Sequence, residues 1–428
     1  MRERYRKSLE YLERAKKVTP GAAQTLSKMP ARFPQGAFPV AYSSARRACI
    51  VDVDGNEFVD WICGLGAVTL GYGLNNICDS VCDALYGGLS SGSLPHELEE
   101  HIACRFCQKI PCAEMVRFVN SGSEATEAAI RTARIATGRD IILTVKDGYH
   151  SWHSWFQAVK SWHPGVPHEY ECLIRGFEYN NLQSVDRLFD VWGKRIAAVI
   201  MEPCLFESPS EGFLQGVREL CTKNKSLLIF DEMVTGYRWA LAGGQEYFGV
   251  TPDLATFGKG IANGLPIGML CGKRDYMQHA ELISGTFGGN AVSLAAADAV
   301  LDVYESKDVI GKMWSCGTEL QLHFNNLTYY LDANGYAKCD GYGCKPRFVF
   351  SCENKDNAMS LFLQVTAEHG MLVHPGGLNV CYALTDKDMA VSKNAVTEGL
   401  EAVHRAVTTG DWSRLTGDII QPVVTVRS

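Results

Sequence analysis

Three short stretches of this 428-residue chain carry residue types that can do chemistry. The first, Asn120-Ser121-Gly122-Ser123-Glu124-Ala125-Thr126-Glu127, directly follows the apolar run Met115–Val119. A small, hydroxyl-bearing turn that opens a helix aims backbone N–H groups and the positive end of the helix dipole outward, which suits a phosphate. An ordinary N-cap with an acid in its first turn explains the same residues, and for this stretch alone it is the favoured account. The second stretch, Leu227–Phe230 followed by Asp231-Glu232, is a buried strand ending in two carboxylates. An acid so placed can meet a metal, a ribose or a ring nitrogen. The third, Thr256-Phe257-Gly258-Lys259-Gly260, sets one lysine among small residues that leave room for a flat group. A lysine there can have a lowered pKa and act as an amine nucleophile, although a surface lysine in a glycine loop is the commoner case.

Their order changes the weighing. No GxxxxGK[ST] occurs, so the first stretch is not a nucleotide P-loop. Phosphate cradle, acidic strand end and lysine together match the needs of pyridoxal 5'-phosphate: a phosphate anchor, an anion for the pyridinium N–H and an amine for the aldehyde. Tyr149, in Lys146-Asp147-Gly148-Tyr149-His150, supplies an aromatic face for the ring. Beyond it run Ser151-Trp152-His153-Ser154-Trp155-Phe156 and Trp162-His163-Pro164. Flat rings with imidazole donors suit a polyhydroxylated substrate, so His150 and Trp152 are candidate substrate contacts. Equally, Trp152, Trp155 and Phe156 at i, i+3 and i+4 fit one buried helix face.

The elements that must position these residues read as strand alternating with helix. Strand candidates are Met115–Val119, Ile141–Val145, Ile196–Met201, Leu227–Phe230 and Ile267–Cys271. Helices fit Ser123–Thr137, Leu182–Trp192, Phe213–Asn224 and Ala291–Tyr304. Short, continuously apolar strands separated by helices imply an α/β fold with a mostly parallel sheet covered on both faces. Near the N-terminus, Arg2–Val18 reads as a charged amphipathic helix. Asp54-Gly55-Asn56 between two alternating runs signals a hairpin. The expected organisation is a large domain over 61–289, with 1–60 and 290–428 forming a smaller α/β domain from both chain ends.

Composition limits the alternatives. Apolar residues make up 46% and charged residues 21% of the chain, so a sizeable core is available. The net charge of −7 carries no basic block, which argues against nucleic acid as a partner. No apolar run is long enough to cross a membrane, and the charged start of the chain lacks a secretory h-region, so a cytoplasmic place is expected. The 16 cysteines then read as reduced, small core residues. No metal site is expected. Cys104-Arg105-Phe106-Cys107 is a lone CxxC, and His96 and His101 at i and i+5 point to different faces of a helix.

On these motifs the chain resembles the class III, fold-type I pyridoxal-phosphate aminotransferases, and within them the glutamate-1-semialdehyde aminomutase-like branch. The resemblance runs from Thr19-Pro20-Gly21 through Asp52-Val53-Asp54-Gly55, Asn120–Ala129, Phe230–Arg238 and Phe257-Gly258-Lys259 to Gly285–Asn290. It implies that Lys259 is the Schiff-base lysine and Asp231 the partner of the pyridine nitrogen. Gly122 and Ser123 would hold the phosphate, and Tyr149 would stack on the ring. Thr286 would reach the phosphate of the neighbouring subunit's cofactor, which implies a homodimer with active sites at the interface.

Substrate-facing positions depart from the aminomutase pattern. Lys28 stands where that pattern has a carboxylate-gripping arginine, and a lysine is a point charge rather than a fork. Glu207 stands where it has an asparagine near the cofactor's phenolic oxygen, and Val234 departs from the glutamine of the ornithine and GABA branch. The expected activity is transfer of an amino group from an amino acid donor to a keto or aldehyde group of a small hydroxylated metabolite such as a keto-sugar. The alternatives are glutamate-1-semialdehyde aminomutase and, in another class, a non-catalytic cofactor-binding structural partner.

Overall fold

The computed structural model describes residues 3–88, 91–160, 163–204 and 206–421. Arg2 and Trp162 lie outside the described residues. The chain divides into two compact units, one formed by Asn75–Ile310 and the other by the chain up to Leu74 and from Gly311. These breaks fall later than the boundaries expected at 60/61 and 289/290. Residues 61–74 stay with the first hairpin, where Arg47 and Tyr72 form a β-bridge. Helix Ala291–Ser306 buries Leu294, Ala297 and Leu301 and packs on helices Asn75–Tyr86 and Glu97–Lys109, so it belongs to the central unit.

In the two-part unit the hairpin forms as its turn chemistry requires. Cys49–Asp52 pairs antiparallel with Glu57–Asp60, and Asp52 Oδ1 accepts the N–H groups of Asp54 and Asn56 at 3.0 and 2.7 Å. The next acid, Asp54, accepts the N–H groups of Lys7 and Ser8 at 2.6 and 2.9 Å. Those are donors that the first turn of a helix leaves over, and the N-terminal helix runs over Arg6–Ala15. Met371–Leu372 adds in parallel beside Glu57–Asp60, and helices Lys355–Glu368 and Asp386–Thr409 pack on each other.

The central unit holds a seven-stranded sheet. Its strands in chain order are β1 Met115–Val119, β2 Ile141–Val145, β3 Ile174–Phe177, β4 Ile196–Met201, β5 Leu227–Asp231, β6 Leu254–Phe257 and β7 Gly268–Gly272. Their spatial order is β1-β7-β6-β5-β4-β2-β3. Only β7 runs against its neighbours, pairing Gly268 with Val119 and Met269 with Phe257. The central strands β4 and β5 are buried at every position, as strands covered on both faces must be. On one face lies helix α1, Gly122–Thr137, which buries Ala125, Ala128, Ala129 and Ala133. Small side chains let a helix approach a sheet closely, and a leucine at Ala129 would overpack that face.

This topology decides where chemistry can sit. Because β7 opposes both β1 and β6, the C-terminal ends of β1, β2, β4, β5 and β6 open on one edge. The stretches at Asn120–Ser123, Lys146–His150, Glu202-Pro203, Asp231-Glu232 and Gly258-Lys259 all follow those ends. In open α/β sheets ligands bind along that edge.

Candidate active site

The three stretches singled out in the sequence meet around one side chain, Met233. A β-carbon on Gly122 would stand 2.7 Å from Met233 Sδ, and one on Gly258 would stand 2.8 Å from the same sulfur. Glycine at both places therefore lets the helix opening and the lysine loop close on the segment that follows Asp231. Met233 packs there with Val119 and Ala125.

The capping account of the first stretch is the one observed. Ser121 is the N-cap of α1, and its Oγ accepts the N–H of Glu124 at 3.2 Å. Glu124 Oε2 in turn accepts the N–H of Asn120 at 2.7 Å. The cap therefore uses Ser121 and Glu124. It leaves Gly122 and Ser123 at the first helical positions, whose N–H groups the helix itself does not use.

At the end of β5, Asp231 is 2% exposed. Its Oδ1 accepts the N–H of Met233 at 3.1 Å and the hydroxyl of Thr256 at 3.4 Å. Its Oδ2 lies 2.7 Å from Nδ1 of His150, itself buried. Both oxygens are thus oriented by donors, as a carboxylate serving a ring nitrogen needs to be.

Lys259 follows β6 with a left-handed backbone, φ +46°. A β-carbon makes that conformation costly, and such strain collects at functional sites. Desolvation lowers its pKa from the ordinary lysine value, and the positive charge of Arg238 adds to this. The negative charges of Glu202 and Asp231 act the other way. The balance leaves Lys259 a readier neutral amine than a surface lysine.

Tyr149 is exposed just after β2, with the Lys160 ammonium 5.2 Å from its ring centroid. The aromatic run that follows divides rather than forming one face. Trp152 lies outside the short helix Ser154–Gln157 and is 73% exposed. Phe156 is buried in the core, and Trp155 packs edge-on to Tyr170 and under Arg134. His150 does not line this run as a donor: its ring is turned inward onto Asp231. Glu207 accepts a hydrogen bond from Asn180 Nδ2 at 2.8 Å, so its carboxylate has a partner of its own. Thr286 stands on an exposed turn before Ala291–Ser306. Lys28 belongs to the two-part unit, where its charge opposes the upward pKa shift that burial gives Asp60. Thr256 and Met233 had no role assigned from the sequence; a threonine inside the otherwise apolar β6 was the available signal for the first.

The arrangement fits pyridoxal phosphate by its donor set. A helix opening closed by glycine, a buried oriented carboxylate and a desolvated lysine lie on one sheet edge. Among the described residues no group of three or more His, Cys, Asp and Glu side chains is arranged to hold a metal ion.

The chain belongs to the class-III aminotransferase family, whose model matches residues 32–407. It is a pyridoxal-phosphate-dependent enzyme of fold type I, acting as an aminotransferase or aminomutase on an amino donor and a carbonyl acceptor. It is 32% identical over 417 residues to a 3-aminobutyryl-CoA aminotransferase of Cloacimonas acidaminovorans, covering 93% of this chain and 98% of that one. A glutamate-1-semialdehyde 2,1-aminomutase of Lachnoclostridium phytofermentans is 38% identical over 359 residues, covering 78% of this chain and 83% of that one. Among solved structures, a pyridoxal-phosphate form of the FumI protein of Sphingopyxis sp. MTA144 superposes with TM-score 0.88 at 25% identity, covering 97% and 99% of the two chains.

Proposed function

We propose that this enzyme is a transaminase, passing an amino group between two separate small molecules, rather than an aminomutase. The observation that carries the choice is the end-to-end similarity to an aminobutyryl-CoA aminotransferase, against the partial cover of the aminomutase. Lys28 and Glu207, which replace two aminomutase residues, support it. On this reading one substrate carries its amino group on a carbon removed from its acyl carbonyl, as a 3-aminobutyryl group does. A hydroxylated acceptor such as a keto-sugar now rests on Trp152 alone, because His150 is turned inward. The aminomutase reading is favoured by the higher identity over the shorter match.

When bound, the cofactor would supply an aldehyde for the amine and a ring able to accept electrons as the C–H bond at the amine-bearing carbon breaks. Lys259 would hold that aldehyde, and as a free amine it would move the proton to and from the amine-bearing substrate carbon as general base and acid. Asp231 keeps the ring nitrogen protonated. Gly122 and Ser123 would hold the phosphate through backbone N–H and hydroxyl groups, and Tyr149 would cover one ring face.

The same reading makes the enzyme a homodimer, with Thr286 reaching the neighbouring subunit's phosphate. Exposed Leu282 and Phe287 on the same segment support an interface there. Cytoplasmic placement follows from a thiol-rich chain; among the described residues no helix is long and apolar enough to cross a membrane.

The test uses the cofactor's visible absorption. Glutamate, alanine and 3-aminobutyrate are offered singly to the purified enzyme, followed by keto acids, 3-ketoacyl thioesters and keto-sugars. A transaminase bleaches the band with a donor and recovers it only with an acceptor. Isomerisation of glutamate-1-semialdehyde without any second substrate would replace this reading with the aminomutase.

A further inference from the structure

We propose that Lys160 is a positioning residue for the cofactor, holding the Tyr149 ring ready to cover the pyridine ring. The inference rests on the reading of Tyr149 as that cover. What carries it is the Lys160 ammonium over the Tyr149 ring, 5.2 Å from its centroid.

Tyr149 has little else to hold its side chain. It is 59% exposed, and among the described residues its hydroxyl has no hydrogen-bond partner and its ring meets no other ring. Only its backbone is placed, between the left-handed turn at Asp147, φ +57°, and the buried His150. A side chain fixed at its backbone alone samples several rotamers, and ordering it on ligand binding costs entropy. A cation on one ring face removes part of that cost beforehand and leaves the opposite face for the cofactor.

Lys160, by contrast, is anchored. Its N–H donates to the carbonyl of Gln157 at 3.0 Å, and Gln157 Nε2 donates to the carbonyl of Ser151 at 2.6 Å, which closes the segment between Tyr149 and Lys160. Phe156 and Ala158 are buried, and Val159 packs on the same core. Burial lowers the pKa of the half-buried ammonium, and the charge of Asp147 opposes this from a distance. No carboxylate of the described residues stands within ion-pair reach of Lys160. The aromatic face takes the place of that carboxylate.

The test measures binding of pyridoxamine 5'-phosphate to the apoenzyme. This ligand carries the ring and the phosphate but makes no bond to Lys259. Binding is read by quenching of tryptophan fluorescence, and folding is checked by thermal unfolding. Lys160→Met keeps the stem and drops the charge, Lys160→Gln repeats this with a second uncharged side chain, and Lys160→Arg keeps the charge. Tyr149→Leu alone and combined with Lys160→Met completes a double-mutant cycle. Tyr149→Leu should weaken binding by about five- to tenfold, the scale of an aromatic contact. Lys160→Met and Lys160→Gln should weaken it by about three- to fivefold, and Lys160→Arg should keep it. In the Tyr149→Leu background Lys160→Met should add less than about 1.5-fold, because a residue acting through Tyr149 has nothing left to act on. In the holoenzyme the visible circular dichroism of the cofactor should shrink in Lys160→Met and recover in Lys160→Arg.

An equal loss from Lys160→Met with and without Tyr149 would show that Lys160 acts elsewhere, and the inference is wrong. Full affinity in both uncharged variants would overturn it, as would a folded Lys160→Arg that binds as weakly as they do. Full affinity in Tyr149→Leu would instead remove the reading of Tyr149, and this inference with it.

Discussion

Asp231 and Glu232 are neighbours in sequence, share a functional group and are both buried, yet they sit in two different environments. Asp231 faces the sheet edge with a histidine, a threonine hydroxyl and one backbone N–H around it. Glu232 faces the other way. Its Oε2 accepts the N–H of Gly244 at 2.7 Å and the hydroxyl of Thr235, and its Oε1 accepts the N–H of Gln245 at 2.9 Å. Gln245 passes the connection on, its Oε1 accepting the N–H of Cys112 at 3.1 Å. Alternation along an extended chain puts successive side chains on opposite sides, so one acid reaches the ligand edge and the other the scaffold. What separates the two carboxylates here is the partner set: Asp231 meets a histidine ring, a hydroxyl and the N–H of its own segment, whereas Glu232 binds two main-chain N–H groups of the Gly244–Gln245 loop together with the Thr235 hydroxyl.

The comparison can be broken by substitution. Lys259→Ala, on the Asp231 side, carries the largest expected effect: amino transfer measured with saturating donor should fall by three or more orders of magnitude, since nucleophile and proton carrier go together. Asp231→Asn should cost about two to three orders of magnitude in kcat while keeping cofactor affinity within about tenfold. Near-native turnover in that variant would remove its special standing relative to Glu232. Glu232→Gln should do the reverse, because its amide would present N–H groups to N–H donors. A loss of about 2–4 kcal/mol in denaturant unfolding is expected, with little change in kcat per folded molecule.

Glu232 also gives the comparison a pH signature. Burial pushes its carboxyl up to about 7 from 4.5, against the hydrogen bonds that favour its anion. A carboxyl raised on folding binds its proton more tightly in the native state. Its contribution to stability is therefore greatest below about 4.5 and declines as pH rises toward 7. In Glu232→Gln that decline should be missing from denaturation midpoints measured between these values. The smallest effect is expected at Lys28→Ala: a rise of a few-fold in KM for one substrate if its charge meets a carboxylate, and none if it only balances Asp60.

Much of the frame was legible because apolar strands and capped helices announce themselves locally. Met115–Val119, Ile141–Val145 and Ile196–Met201 form where their predominantly apolar runs are, and Leu182–Trp192 and Phe213–Asn224 form as periodic helices. Ile174–Phe177 was not legible: it holds Arg175 and Gly176, and only pairing with Ile141–Val145 makes it a strand. The placement of Asp231 and Lys259 at strand ends on one sheet edge could be read from their order along the chain. The inward turn of His150 could not, because its partner is far away in sequence and the surrounding residues suggested an exposed aromatic loop. The fate of Trp152, Trp155 and Phe156 was likewise set by tertiary partners, Arg134 and Tyr170 among them.

The central claim is that Lys259 is the amine that holds the cofactor. Borohydride reduction of the purified enzyme, followed by proteolysis and mass spectrometry, tests it most directly. The account predicts a phosphopyridoxyl adduct on the peptide containing Lys259 and none in Lys259→Ala. An adduct on another lysine, or the same adduct persisting in Lys259→Ala, would contradict it.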